Sequence, residues 1–212
     1  MTDDVNPELP ETPHFRPFFS IFFRSKFRTT FWKAETDYNL TSYDDALVGF
    51  KQFEQQTASS ETKEFINLTY NIAYTYFKQK DYDQATQYFN QFITTRNNDK
   101  LRLNDAYLRL ADGYFVSSKY NDAIQAYDKA IQLNKIEVDY AFFQKSISYG
   151  YVGNESKKIT EILTFISKYN NSNLRDDAMY ALGNSYVKVG NTSEAMRIYD
   201  RLNNEYKRSV FV

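Results

Sequence analysis

The chain has 212 residues, 42% of them hydrophobic and 25% charged, which is long enough for one large domain or an elongated array and too apolar for disorder by composition. Its 26 basic and 27 acidic residues leave no overall attraction for nucleic acid. It has no cysteine, which excludes disulfides, thiolate metal sites and cysteine nucleophiles.

The four prolines are Pro7, Pro10, Pro13 and Pro17. An irregular leader is therefore expected over residues 1–26, and helices are expected beyond it. Residues 14–33, HFRPFFSIFFRSKFRTTFWK, hold eight aromatics, five Arg or Lys and no acid. Two readings stay open for this segment. It lies on an anionic membrane or docks on a partner, or it caps the first repeat as the irregular start of a clipped chain. Its apolar core FFSIFF is far short of the ~18 residues of a membrane span. The acids Asp3, Asp4, Glu8 and Glu11 precede that core where a secretory signal would carry positive charge, so no export signal is expected in the chain as given.

Beyond the leader one helix recurs: YDDALVGFKQFEQQ from Tyr43, YDQATQYFNQFI from Tyr82, YNDAIQAYDKAIQLN from Tyr120 and NTSEAMRIYDRLNNEY from Asn191. Anchored on Ala46, Ala85, Ala123, Lys158 and Ala195, the copies are 39, 38, 35 and 37 residues apart. A period in this range marks a helical repeat array. Twelve residues before the anchors stand Ala34, Ala73, Ala111, Ser146 and Gly183, small residues that let a preceding helix approach closely. Four residues after them stand Phe50, Phe89, Tyr127, Ile162 and Tyr199, on the same helical face. Ser42, Asp81, Lys119, Asn154 and Asn191 fall at the helix starts, and all but Lys119 are good N-caps. The predicted repeats span about 27–57, 60–96, 101–134, 137–169 and 174–208, and 209–212 is left as a tail.

These residues resemble the tetratricopeptide repeat family. The best copy is AYLRLADGYFVSSKYNDAIQAYDKAIQLN, residues 106–134, and the likeness extends over about residues 27–208. It implies an all-α, right-handed superhelical solenoid of about five helix-turn-helix repeats. The copies depart from the family in lacking its proline after the second helix and in exceeding its typical period of ~34 residues. The fourth copy, with Lys158 and Ile162, is the weakest. Long, tyrosine-rich repeats of this kind are similar in texture to those of bacterial cell-envelope members of the family, including outer-membrane assembly lipoproteins and division-associated periplasmic factors. That likeness implies a periplasmic setting, and without it the setting is cytoplasmic.

In such a solenoid the first helix of each repeat lines the concave side. The resemblance therefore places Phe31, Tyr70, Tyr74, Phe77, Leu108, Asp112, Phe115, Phe143, Tyr180 and Asn184 on that face, with Glu35, Tyr38 and Ile147 beside them. For any one aromatic the plain alternative is packing against neighbouring helices. Taken as a set they point to a groove for a protein or peptide partner. The lysine and asparagine set with which some family members grip a terminal carboxylate is matched here only by Asn184 and Lys188.

No catalytic, metal or cofactor site is expected. His14 is the only histidine, no GxGxxG or GxxxxGK[ST] occurs, and the doublets Asp44-Asp45 and Asp176-Asp177 fall at helix starts, where they suit the helix dipole. The expected function is a non-enzymatic scaffold or adaptor. Membrane contact is expected only through residues 14–33. The chain ends at SVFV with no polar helix after Tyr199, Leu202 and Tyr206, so a piece of a longer repeat protein is expected, with a regulatory module of a larger protein as an alternative.

Overall fold

The computed structural model describes residues 18–56, 64–95, 99–207 and 209–211, with side chains from residue 28 onward. Among them are ten helices: α1 Phe18–Asn39, α2 Tyr43–Gln55, α3 Phe65–Lys78, α4 Tyr82–Thr94, α5 Lys100–Val116, α6 Tyr120–Leu133, α7 Val138–Tyr151, α8 Glu155–Lys168, α9 Arg175–Lys188 and α10 Thr192–Glu205. Each packs against the next in sequence, and α3 also touches α5 directly. The odd-numbered helices thus form one layer and the even-numbered helices another, the arrangement of a repeat solenoid. None of the described helices is long and apolar enough to cross a membrane.

The leader expected over residues 1–26 is corrected for residues 18–26, which belong to the first turns of α1. The helix begins directly after the last proline, and nothing in the sequence interrupts it for 22 residues. Residues 1–17 lie outside the described set, as do the side chains of the aromatic run up to Phe27 and the whole of the loop TASSE.

The turn inside every hairpin has one geometry. Thr41, Lys80, Ser118, Gly153 and Gly190 all adopt positive φ, between 59° and 79°. At each, the N–H of that residue and of the next bond back to the closing turn of the helix, as in Ser118 to Phe115 and Lys119 to Tyr114. This is the left-handed closure that stops a helix and satisfies its last carbonyls. Side-chain caps then open the second helix. Asp81, Asn154 and Asn191 accept from the N–H of Gln84, Lys157 and Glu194. Ser42 makes no such bond, contrary to expectation. Lys119 has no capping side chain either, and the backbone closure of the preceding turn takes its place.

The anchors Ala46, Ala85, Ala123 and Ala195 are buried, as are Ala34, Ala73, Ala111 and Gly183 of their partner helices. At Gly183 the approach is so close that a Cβ would lie 2.3 Å from Cε1 of Tyr199. The divergent fourth repeat compensates locally. The stem of Lys158 lies over Gly150, where a Cβ would come within 2.7 Å of Lys158 Cδ, and its ammonium pairs with Glu155 at 3.4 Å. The apolar core runs along the array as three successive clusters, centred on Phe50 and Phe53, on Phe89 and Tyr127, and on Phe165 and Leu182.

Residues 209–211 also fold onto the array. Ser209 donates to Asp176 at 2.8 Å, and the N–H of Phe211 donates to the Ser209 hydroxyl. The link between the fourth and fifth repeats uses the same pattern, with Ser172 donating to Asp139 and Leu174 N–H to Ser172. Phe211 stacks on Tyr180 with ring centres 4.3 Å apart.

Candidate functional site

The odd-numbered helices carry most of the residues expected to line a groove, and the structure divides them into three groups. Phe31 (4% exposed), Leu108 (0%) and Phe143 (9%) belong to the core. Phe31 packs on Phe50 and Phe53 with centres 5.6 and 5.2 Å away, and Phe143 packs on Phe165 at 5.6 Å. Their expected place on an open surface is corrected, because helices in contact bury the very positions that simple spacing assigns to the inner face.

Tyr70, Tyr74 and Asp112 form the second group, with partners that repeat spacing did not single out. Tyr70 and Tyr74 of α3 both donate to one carboxylate oxygen of Asp105 on α5, at 2.6 and 2.5 Å. One helical turn on, Arg109 reaches Tyr74, Asp105, Asp112 and Glu137, with nitrogen–oxygen distances between 2.8 and 3.4 Å. Asp112 in turn accepts from Tyr127 of α6 and Tyr140 of α7, at 2.8 and 2.9 Å. The network therefore ties the second, third and fourth repeats together across the inner layer.

The electrostatics follow from this burial. Burial pushes the Asp112 carboxyl above its ordinary value, opposed by its hydrogen bond from Tyr127 and by the Arg109 charge. Burial also disfavours the Arg109 cation, but Tyr74, Asp112 and Asp105 outweigh it and hold the guanidinium above its usual range. Tyr70, Tyr74, Tyr127 and Tyr140 are all pushed up, first by burial and then by the neighbouring carboxylates. Their hydroxyls stay protonated as donors, which fixes the rings of Tyr70 and Tyr74 in place. The signal in the sequence was the spacing of Asp105, Arg109 and Asp112, which sets three charges on one face of α5.

The third group is aromatic and partly open. Phe77 sits edge-on to Tyr82, and Phe115 to Tyr120, both with centres 5.5 Å apart. The first repeat repeats the pair as Tyr38 and Tyr43 at 5.5 Å. Tyr151 extends the series by stacking on Tyr120 at 4.5 Å and meeting Phe115 at 5.5 Å. Tyr180 (38% exposed) and Asn184 stand apart at the far end, where Asn184 accepts from Tyr199 at 2.8 Å. Among the described residues no cluster of His, Asp or Glu could hold a metal ion.

Comparison with known proteins agrees with this geometry. Residues 67–99 and 177–209 each match a model described as tetratricopeptide repeat. No curated protein matches the chain in sequence. Among solved structures, a crystal structure of MamA protein is 18% identical, with a TM-score of 0.70, over 86% of this chain and 92% of that one. MamA from Desulfovibrio magneticus RS-1 is 14% identical, with a TM-score of 0.70, over 87% of this chain and 97% of that one. The apo form of RapI is 14% identical, with a TM-score of 0.73, over 87% of this chain and 54% of that one. At such identities the likeness concerns the fold. Two segments match the repeat's own models and five hairpins share one geometry, so the fold is a solenoid of tetratricopeptide-like repeats.

Proposed function

We propose that the inner layer of odd-numbered helices binds a segment of a partner polypeptide, and that the protein acts as a non-enzymatic scaffold or adaptor in a multiprotein assembly. The observation that carries this reading is the set of partly open aromatic rings on one layer, several held in fixed orientation before any partner arrives. Tyr70 and Tyr74 are locked by Asp105, and Phe77 and Phe115 by their edge-on tyrosines. Rigid aromatic anchors lose little entropy on binding, and each one well buried contributes roughly 1.5–3 kcal/mol. A bacterial cell-envelope assembly is the setting that the texture of the repeats suggests.

A membrane role for residues 14–33 is less well supported by the described part of that segment. Trp32 is 52% exposed, but Arg28 pairs with Glu64 at 2.9 Å and Lys33 with Asp37 at 2.7 Å, which neutralises cations that an anionic surface would need. Vesicle co-sedimentation with and without residues 1–26 separates the two roles.

Affinity capture from native lysate tests the groove, comparing the parent chain with a Phe77→Ala, Phe115→Ala, Tyr180→Ala variant of equal helicity. A partner retained by the parent and lost by the variant supports the reading. Identical captures, or none, reject it.

A further inference from the structure

A cavity of about 210 Å³ lies between α1, α2 and α3, lined by Glu35, Tyr38, Phe50, Tyr70, Asn71 and Tyr74. Four of its six residues are aromatic, and its one ionisable acid is Glu35. Nδ2 of Asn71 donates to Oε1 of Glu35 in a short hydrogen bond that holds the carboxylate in place. Among the described residues no lysine or arginine forms an ion pair with Glu35. Arg102 lies with its guanidinium 6.0 Å from the Tyr70 ring, and its charge favours the ionised Glu35, but its ion pair is with Asp99 at 2.9 Å. The next basic group, Arg109, is taken up by Asp105, Asp112 and Glu137.

Glu35 is therefore the one charged group lining the cavity. Asp105 sits just behind Tyr70 and Tyr74, whose hydroxyls point at it. Glu35 and Asp105 both help to raise the Tyr38 hydroxyl to about 12, after burial and the neighbouring Tyr43. Burial also lifts the Glu35 carboxyl above its ordinary value, with the Asn71 hydrogen bond and then the Arg102 charge opposing it. A half-buried carboxylate without a direct ion pair among aromatic rings costs free energy that an incoming cation in contact with it recovers. An acidic side chain is repelled there, and a neutral one leaves the carboxylate unpaired.

We propose that this cavity receives a basic side chain, arginine or lysine, of the polypeptide bound in the groove, with Glu35 as its counter-ion and the rings of Tyr38, Tyr70 and Tyr74 as its walls. The proposal rests on the groove reading above and adds the chemistry of one subsite. It assigns Glu35 and Asn71 to recognition.

Titration of the isotope-labelled full chain, followed by NMR, tests it with N-acetyl-arginine methylamide and its neutral isostere N-acetyl-citrulline methylamide. The arginine probe should shift the Asn71 side-chain amide saturably, and the citrulline probe should bind at least about tenfold more weakly, as expected for loss of a charge-assisted contact. Glu35→Gln retains an acceptor for Asn71 and should reduce arginine binding to the citrulline level. Tyr38→Leu, which leaves every acidic group in place, should weaken arginine binding by a smaller factor. Equal binding of the two probes, or arginine binding indifferent to Glu35→Gln, overturns the proposal. If the arginine probe fails while the aromatic variant still loses its partner, the subsite falls and the groove stands. If the arginine probe binds through Glu35 while partner capture ignores the groove, the cavity takes free cations, and the proposal as a peptide subsite falls.

Discussion

Gly183→Ala is the sharpest test of how the hairpins close. The new Cβ would lie 2.3, 2.7 and 2.9 Å from Cε1, Cζ and Cδ1 of Tyr199, where ordinary contact begins near 3.4 Å. The ring must therefore move by more than an ångström, and it is held by the hydrogen bond from its hydroxyl to Asn184 at 2.8 Å. Forcing a methyl into a packed site costs about 1–3 kcal/mol, and losing the hydrogen bond adds about 0.5–1.5 kcal/mol. Alanine returns about 0.8–1 kcal/mol through its helix propensity. The expected net loss is about 0.5–3.5 kcal/mol, centred near 2, and because each repeat contacts only its neighbours it should be confined to α9 and α10. Native-state amide hydrogen exchange reads this directly. Amides of α9 and α10 should exchange faster while those of α3 to α6 are unchanged, and adding Tyr199→Ile, the residue type of the fourth repeat, should restore protection. Unchanged or slower exchange in the single variant would mean that the ring swings aside freely, and the close-packing account of this hairpin would be refuted.

Arg109→Ala should destabilise the protein by about 3–5 kcal/mol in urea denaturation, since it strips the buried carboxylates of their shared cation. An effect under 1 kcal/mol would show that Asp105 and Asp112 are satisfied by tyrosine hydroxyls alone. Thr41→Gly should stabilise by about 0.5 kcal/mol, because a β-branched residue at φ 63° carries strain that glycine lacks. Gly153→Ala, at φ 79° with nothing within 4 Å of a new Cβ, should destabilise by about 1 kcal/mol through the backbone alone. For Glu35 the signs oppose. Its folded carboxyl titrates above the ordinary value of 4.5, so the stability linked to its protonated form is present at acid pH and lost as pH rises through the folded value. Glu35→Gln should then raise the thermal midpoint at neutral pH while weakening arginine-amide binding. In the parent that binding should fade as pH drops through a value above 4.5. A midpoint lowered by the substitution would contradict the burial argument. Phe211→Ala should loosen α9 by about 0.5–1.5 kcal/mol through loss of the stack on Tyr180, seen as faster exchange there alone.

The repeat period, the small residues at the hairpin crossings and most of the caps were legible in the sequence, because each depends on contacts within about four residues or on one repeated spacing. Ala34, Ala73, Ala111, Ser146 and Gly183 fall where expected, all buried. The three core residues Phe31, Leu108 and Phe143 were not separable from Tyr70, Tyr74 and Tyr180, since the same helical spacing serves both a groove and a helix–helix contact. The ionic network was hidden for another reason. Asp105 is bonded by tyrosines 31 and 35 residues earlier in the chain, and no local pattern encodes that pairing.

The sequence by itself determined that one helical hairpin recurs and that no copy can bury its apolar face alone. Periodicity and turn chemistry are local, and they survive without knowledge of the fold. Only the tertiary structure decided which aromatics became core, which remained partly open beside Glu35, and that Arg109 joins three repeats. Those outcomes depend on how far each helix rotates against its neighbours, a quantity set by side-chain packing between repeats and not by spacing within one.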